Sequence, residues 1–186
     1  MSTSIKKLTL VGCCAVALSL GFGPDAQAGG PFGFGKNAST ADIAKIDIDV
    51  MPDGRGAPPG QGTYAEGKKV YAAQCASCHG ADMAKPVKGT GAAPLRGGRG
   101  TLTSGKPKKT VESYWPYAST LFDFTKRAMP FYEPGSMKDN DIYAVVAYIL
   151  AEGGIISKDT VMNAKTLANV KMPNRNGFIS DPRPDI

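Results

Sequence analysis

The sequence predicts a mainly α-helical domain of three to four short helices, with an extended arm before it and an extended tail after it. A helix-capping pattern begins at Thr63, and a strong apolar repeat spans roughly residues 138–152. The flanking stretches contain many glycine, proline and polar residues and no long apolar repeat. We therefore assign residues 63–154 to the folded domain, residues 29–62 to the arm and residues 155–186 to the tail.

The first helix is predicted from its capping box. Thr63 is followed three residues later by Glu66, a pair that satisfies two free N–H groups at a helix start. The helix is expected over residues 64–74 and leads directly into Cys75. One of its faces carries Tyr64, Gly67, Val70 and Tyr71.

The middle of the domain is predicted to be a long loop followed by a broken helix. Residues 80–109 are rich in glycine, proline and lysine. A second helical region is expected in two pieces, residues 110–115 and 116–127, because Pro116 interrupts it.

The last strong helix is expected over residues 138–152, with Ser136 and Asp139 marking its start. Its apolar stripe ends in a glycine pair that stops the helix. A short helix is possible over residues 158–168. The stripe is formed by Ile142, Val145, Val146 and Ile149.

Residues 1–28 are interpreted as a cleaved secretory signal peptide. Lys6 and Lys7 precede the apolar residues 8–20, and Ala26-Gln27-Ala28 fits a cleavage site. The apolar run is too short for a membrane span, which needs about 20 residues. A lipoprotein signal ending at Cys13 is the disfavoured alternative, because the apolar stretch before it is short. The expected location is the periplasm, without stable membrane insertion.

The run Cys75-Ala76-Ser77-Cys78-His79 carries the chemistry of the chain. Signal cleavage would remove Cys13 and Cys14, so these two cysteines would be the only ones left. Cysteines three residues apart can form thioethers with the two vinyl groups of one haem, and the next histidine can then ligate its iron. The run occurs once, so it predicts a single covalent haem c.

A zinc site and a redox dithiol are the alternatives at this run. Structural zinc needs four ligands, and His79 is the one histidine of the chain. A thioredoxin-like dithiol needs a βαβ context, which the sequence does not show.

The second iron ligand is expected to be a methionine, because no other histidine exists. Met129 is favoured, since it lies in a loop between two helices that can cross the far side of the haem. Met137, Met172 and an open coordination site remain alternatives. Met83 and Met162 are interpreted as core residues.

Weaker predictions concern the surroundings of the haem. The Pro94 carbonyl is expected to accept the His79 Nδ1–H hydrogen bond. Trp115 is expected either to bind a haem propionate or to pack in the core. Arg127 is a further propionate candidate, together with Arg96 and Arg99.

Charge excludes one class of partner. The formal net charge is +6, and we interpret the basic residues as scattered along the chain. An exported protein rarely meets nucleic acid, so nucleic-acid binding is not expected. Weak steering toward an acidic protein surface remains possible.

The order of these elements resembles class I cytochromes c: capped helix, Cys-x-x-Cys-His, proline loop, helix, methionine loop and long final helix. The resemblance implies the class I cytochrome c fold around one covalent haem, with His79 and Met129 as axial ligands. It also implies that the first and last helices cross, with Gly67 and Tyr71 against Val145, Tyr148 and Ile149.

Further runs resemble the cytochrome subunit of bacterial sulfane dehydrogenase and of sulfite dehydrogenases. Examples are Ser113-Tyr114-Trp115-Pro116-Tyr117 and Arg127-Ala128-Met129-Pro130-Phe131. This resemblance implies a non-catalytic electron-transfer subunit beside a molybdenum-cofactor, sulfite-oxidase-like subunit, passing electrons to a downstream cytochrome or oxidase. The family's subunit is commonly longer and has two haems. A freestanding carrier and an open-site ligand-binding or peroxidase-type haem protein are the alternatives.

Overall fold

The computed structural model describes residue 32 and residues 34–183. The predicted signal peptide and Cys13 therefore lie outside the described residues. The chain divides into two compact units, Met1–Ala44 and Lys45–Ile186. Its elements are α1 (Thr40–Ile46), β1 (Gln61–Gly62), α2 (Tyr64–Gln74), α3 (Ala76–His79), α4 (Ala118–Ala128), α5 (Asp139–Glu152), β2 (Met162–Asn163) and α6 (Ala164–Asn169).

The mainly helical fold class is confirmed, with more helices than the three to four predicted. Two short helices were not predicted: α1 lies in the predicted arm and α3 in the Cys-x-x-Cys-His run. Helix α6 corresponds to the short helix expected in the tail. Residues 80–109 contain neither helix nor strand, as predicted. In the part of the chain that the structure describes, no helix is both long and apolar enough to cross a bilayer.

Helix α2 is formed as its sequence predicts. The Thr63 side chain accepts from the Glu66 backbone N–H, and the Glu66 carboxylate accepts from the Thr63 N–H at 2.8 Å. The Thr63 hydroxyl, which donates to the Glu66 carboxylate at 2.7 Å, and the Thr63 N–H together hold the pKa of Glu66 below its usual value. The capping box thus fixes where α2 starts, and its 11 residues determine where Cys75 falls.

The crossing of α2 and α5 depends on Gly67. A Cβ atom at this glycine would lie 1.8 Å from the Ala144 carbonyl oxygen and 2.8 Å from the Tyr148 Cβ. Tyr71 completes the contact, with its ring centroid 5.4 Å from that of Tyr148. The prediction placed Tyr148 in this contact, as observed. It also named Val145, whereas Gly67 approaches Ala144 most closely. Ala144 and Tyr148 are four residues apart and share one helix face.

Replacing Gly67 by alanine should lower the free energy of unfolding by roughly 1–3 kcal/mol or more, because the helices must separate to admit the methyl group. Guanidinium unfolding followed by circular dichroism measures the loss. Gly105→Ala is the control, because a Cβ there meets nothing within 4 Å. Equal stabilities of the two variants would contradict the tight crossing.

Helix α5 is the centre of the core. The predicted stripe residues are all buried, but every residue from Ile142 to Ala151 is buried as well. A helix that is apolar all round is enclosed on all sides, so the prediction of a single stripe was too narrow. A part of the arm covers one side of α5. The Tyr143 hydroxyl donates to the Pro58 carbonyl at 2.8 Å, and Gly62 lies against Ala144.

The predicted helix over residues 110–115 is absent. The Ser113 hydroxyl accepts from the Thr110 N–H at 3.0 Å, and the Thr110 hydroxyl accepts from the Ser113 N–H at 3.1 Å. These two bonds form a compact turn instead of a helix. Such local bonds compete with helix formation. Helix α4 therefore starts at Ala118, two residues later than the second predicted piece.

Two other helix starts also differ from the prediction. Ser136 does not cap α5, because its hydroxyl donates to the Glu133 carbonyl at 2.8 Å. The tail helix α6 starts at Ala164 rather than near residue 158. Asn163 and Thr166 form a capping box there, with an N–H to Oδ1 distance of 3.0 Å.

Residues 45–62 of the arm and the described part of the tail both belong to the packed structure of the second unit. Gln61–Gly62 pairs antiparallel with Met162–Asn163. Val50 is buried, and its N–H donates to the Asp123 carboxylate at 2.9 Å. In the tail, Asn174 donates to the Tyr114 carbonyl at 2.7 Å. Neither segment is simply an unattached extension of the helical domain.

Candidate haem-binding site

The Cys-x-x-Cys-His run forms a single turn directly after α2. The Cys75 N–H still closes α2 on the Tyr71 carbonyl, and the Cys75 carbonyl then accepts from Cys78 at 3.1 Å and from His79 at 2.9 Å. The two cysteines therefore lie one turn apart, with the histidine next to the second. Both thiols are free and half-buried.

Cys75 lacks the lowered pKa that marks the attacking cysteine of a redox dithiol. Burial, followed by the nearby Cys78, raises the pKa of the Cys75 thiol to about 11. Reactive dithiols have a cysteine with a pKa lowered toward neutrality. The Cys75 sulfur is therefore an uncharged, apolar group at neutral pH, as suits a thioether position against a haem edge.

His79 is oriented by a backbone carbonyl. Its Nδ1 lies 2.9 Å from the Ala93 oxygen, and a carbonyl can only accept, so Nδ1 carries the proton. This leaves Nε2 as the nitrogen available to a metal. The prediction that the Pro94 carbonyl would be the acceptor was wrong by one residue. The Leu95 N–H donates to the Met83 carbonyl. The Pro94 carbonyl belongs to the same trans peptide unit as this N–H, so it points in the opposite direction and cannot reach Met83 or His79 from there.

Met83 fixes the loop that supplies the Ala93 carbonyl, and sequence reasoning assigned it only to the core. Its side chain is buried, as predicted, and its carbonyl accepts from Leu95 at 2.8 Å and from Arg96 at 3.2 Å. Its φ of 60° is unusual for a residue other than glycine. Methionine gives no local signal for that conformation, so the sequence could not have revealed this role.

Tyr71 and Gly80 hold the other end of the run. The Tyr71 hydroxyl donates to the Gly80 carbonyl at 2.7 Å. Gly80 has a φ of 77°, and a Cβ there would lie 2.1 Å from the Lys85 carbonyl oxygen. The glycine directly after His79 thus lets the chain turn back against the haem-binding run. The position of a glycine directly after His79 was the sequence signal from which this turn could have been predicted.

Met129 lies where α4 ends. Its N–H closes the helix on the Thr125 carbonyl at 3.2 Å, and its side chain is half-buried. The loop that follows is bridged at its base by Lys126 and Asp139, whose charged atoms are 2.8 Å apart. Met129 is therefore carried on a short connection between two core helices. Its role as second iron ligand remains a prediction.

The other methionines have different surroundings. Met83, Met162 and Met172 are each buried within the hydrophobic core, and Met137 packs partly against it. Met51 is 42% exposed. Met172 was an alternative ligand, but its burial among core side chains gives it an evident packing role. Met129 remains the favoured candidate.

Trp115 and Arg127, two of the predicted propionate ligands, differ in whether they already have polar partners. Trp115 is half-buried, with its ring edge on Phe124 at 5.8 Å between centroids. No described residue accepts a hydrogen bond from its indole N–H. Arg127, by contrast, pairs with Asp123 at 2.9 Å and also with Asp49. Its guanidinium joins Asp49 of the arm to Asp123 of α4, so these carboxylates are its favoured partners and a propionate role for Arg127 stays a prediction.

Replacing Arg127 by glutamine should weaken folding by up to about 1 kcal/mol, because the ion pairs are partly exposed. The haem spectrum and midpoint potential should not change. Chemical unfolding and a redox titration measure the two effects. A shift in midpoint potential without loss of stability would support the propionate role.

Taken together, the fold and site define a c-type cytochrome. A model of the cytochrome c family matches residues 64–152. A chain in the crystal structure of the sulfane dehydrogenase SoxCD from Paracoccus pantotrophus is 38% identical, with a TM-score of 0.73. That match covers 82% of this chain and 74% of the other.

The similarity also extends to a thiosulfate dehydrogenase from Stutzerimonas stutzeri (strain A1501). It is 33% identical over 93 residues, which are 50% of this chain and 28% of that protein. The chain therefore belongs to the cytochrome c family and has the class I fold, as an electron-transfer haem protein. Its resemblance to the cytochromes of sulfur-compound dehydrogenases is confirmed.

The residues present fit a covalent haem c. Two unpaired thiols lie one turn apart, and the adjacent imidazole has one nitrogen fixed and the other available. The half-buried apolar side chains Leu95 and Trp115 pack at the margin of the core. This donor set is the one that haem c requires.

Proposed function

We propose that this chain is a periplasmic, mono-haem cytochrome that takes single electrons from a molybdenum-dependent sulfane or sulfite dehydrogenase subunit. It would pass them to a downstream cytochrome or oxidase. The observation that carries the proposal is the extent of the match to the sulfane dehydrogenase chain. At 82% of the chain, this match exceeds residues 64–152, so it must include parts of the arm or tail.

Each site residue has a defined part in this proposal. Cys75 and Cys78 would hold the haem as thioethers, and His79 would ligate iron through Nε2. Met129 would supply the second ligand and raise the potential relative to a second histidine. The bound haem supplies a one-electron redox centre. The chain's own task is to keep both ligands in place in either redox state.

The positions of His79 and Met129 are held by groups that need not move when charge changes. Ala93 fixes the imidazole ring, and the Lys126–Asp139 ion pair closes the base of the Met129 loop. A carrier with fixed ligands reorganises little on gaining an electron, which favours rapid transfer. Chemistry on the sulfur compound would occur on the molybdenum subunit, so this chain would be non-catalytic.

Residues 45–62 of the arm and residues 155–183 of the tail are proposed as docking segments for that subunit. Both are anchored to the domain. In the arm, Asp49 pairs with Arg127 and the Val50 N–H donates to Asp123, and in the tail Asn174 donates to the Tyr114 carbonyl. Fixed segments lose little entropy on binding, which favours a stable complex.

Isolation from the periplasm of the source organism tests this proposal. We expect the tagged chain to copurify with molybdenum and its haem to be reduced on addition of sulfite or thiosulfate. Growth on tungstate, which replaces molybdenum, should abolish the reduction and serves as the control. A cytochrome that purifies alone and is not reduced would contradict the proposal and favour a freestanding carrier.

A further inference from the structure

The connection that carries Met129 has little packing of its own. Residues 131–136 are all exposed to solvent. Buried contacts occur only at the two ends of the connection, where Pro130 is buried and Met137 packs partly against the core. Apolar packing along the connection therefore cannot hold the Met129 side chain in place. Its position depends on how the two ends are joined.

One ion pair joins the helices at these two ends. Lys126 lies in the last turn of α4, Asp139 is the first residue of α5, and their Nζ and Oδ1 atoms are 2.8 Å apart. The side chains are 22% and 37% exposed, so water screens the pair only in part. Each charge also lies at the helix end that stabilises it, the cation at a C-terminus and the anion at an N-terminus. Among the described residues, no other ion pair links α4 with α5.

The backbone of the connection folds back against the same end of α4. Gly135 has a φ of 77°, and a Cβ there would lie 3.9 Å from the Lys126 carbonyl oxygen. Between these points the chain turns, with the Glu133 N–H donating to the Pro130 carbonyl at 2.9 Å. The connection therefore returns to the last turn of α4, three residues before Met129, where the ion pair lies.

We propose that the Lys126–Asp139 pair is a latch that limits how often the Met129 sulfur leaves the iron. The inference rests on the electron-carrier part of the proposed function, with Met129 as second ligand, and it does not depend on the sulfur dehydrogenase. Both charged groups act on Met129 through the backbone, so they are positioning residues. When the pair is broken, the six exposed residues of the connection are free to move the ligand away, and a small molecule can take its place.

Exchange of Met129 for added imidazole measures how often the ligand leaves. The ferric holo-protein is mixed with excess imidazole in a stopped-flow instrument at about pH 8, where the probe is mostly neutral. A neutral probe is not steered by the charges that the variants remove. At saturating imidazole, the observed rate equals the rate at which Met129 dissociates, and disappearance of the methionine-to-iron charge-transfer band reports it.

Lys126→Gln and Asp139→Asn should each accelerate this exchange roughly three- to fivefold, as expected for loss of a partly exposed ion pair. The double variant should be no faster than either single variant, because one substitution already breaks the pair. Lys126→Arg should exchange close to the unaltered rate, since it keeps the charge. Before imidazole is added, every variant should retain the charge-transfer band. Additive effects of the two single substitutions would contradict a shared latch.

Lys158→Gln is the matched control. It removes the same charge and breaks an ion pair with Glu152, 3.3 Å long, at the other end of α5. Chemical unfolding measures the loss of stability in each variant. We expect Lys158→Gln to exchange at the unaltered rate, even where its loss of stability equals that of Lys126→Gln. Equal acceleration in these two variants, or acceleration in neither, would overturn the proposal.

Salt provides a second readout. Ions screen a partly exposed pair, so raising the ionic strength should accelerate exchange in the unaltered protein and not in the double variant. A salt effect of equal size in both would contradict the latch.

Met129→Ala supplies the limit in which the ligand is absent, and it should bind imidazole fastest of all. If it bound imidazole no faster than the unaltered protein, Met129 would not be the ligand, and the latch would be overturned with that assignment. Neither sulfite nor thiosulfate enters these measurements. Failure of either compound to reduce the haem would therefore count against the dehydrogenase partner and leave the latch standing.

Discussion

The Cys75→Ala/Cys78→Ala double variant should lose all covalently bound haem. Each sulfur would form one thioether, so removing both leaves only ligation by His79 and a second ligand. Ligation alone does not survive denaturation. Haem staining of the denatured chain and the mass of the intact chain measure the loss. Because a buried haem supplies much of the core of a domain this small, we also expect the variant to be largely unfolded.

Matched variants distinguish this effect from general damage to the turn. Ser77→Ala alters an exposed residue between the two cysteines and should retain full haem content. Each single cysteine variant should retain one thioether and some stainable haem. Covalent haem in the denatured double variant would place the attachment elsewhere and contradict the site.

The second large effect is expected for Met129→Ala. Loss of the thioether ligand should abolish the methionine-to-iron charge-transfer band and convert ferric haem to a high-spin state. The midpoint potential should fall by a substantial fraction of the roughly 0.8 V range that axial ligands span. Reduced haem should then bind carbon monoxide readily. Absorption spectroscopy and a redox titration measure these changes.

Met137→Ala is the matched control, since Met137 lies eight residues further along the same connection and was a rival ligand. Its loss should affect stability through partial core contacts and leave the charge-transfer band intact. If the band disappeared in Met137→Ala and persisted in Met129→Ala, the ligand assignment would be reversed. High-spin, carbon monoxide-binding haem in the unaltered protein would indicate an open site.

Local sequence signals predicted the helix that leads into the candidate site. Thr63 and Glu66 lie three residues apart, so their bonds define the start of α2 without information from the rest of the chain. Helix geometry then determines the position of Cys75, and the spacing within the haem-binding run determines where Cys78 and His79 lie relative to it. These features depend on contacts within a few residues.

The errors and omissions concern features that distant contacts decide. The histidine acceptor is Ala93 rather than Pro94 because Met83 orients the intervening peptide units. Arg127 pairs with Asp49, which lies 78 positions earlier in the chain. Neither arrangement leaves a periodic or local signal. The missing helix over residues 110–115 differs, since Thr110 and Ser113 lie only three residues apart and their side-chain bonds are a local signal that the prediction did not use.

A coulometric titration of the purified holo-protein, combined with the mass of the peptide that contains Cys75 and Cys78, tests the central claim most directly. We predict one electron per chain, one haem on that peptide and a charge-transfer band that persists in the ferric state. Uptake of more than one electron, or haem absent from that peptide, would contradict a mono-haem cytochrome attached at this run.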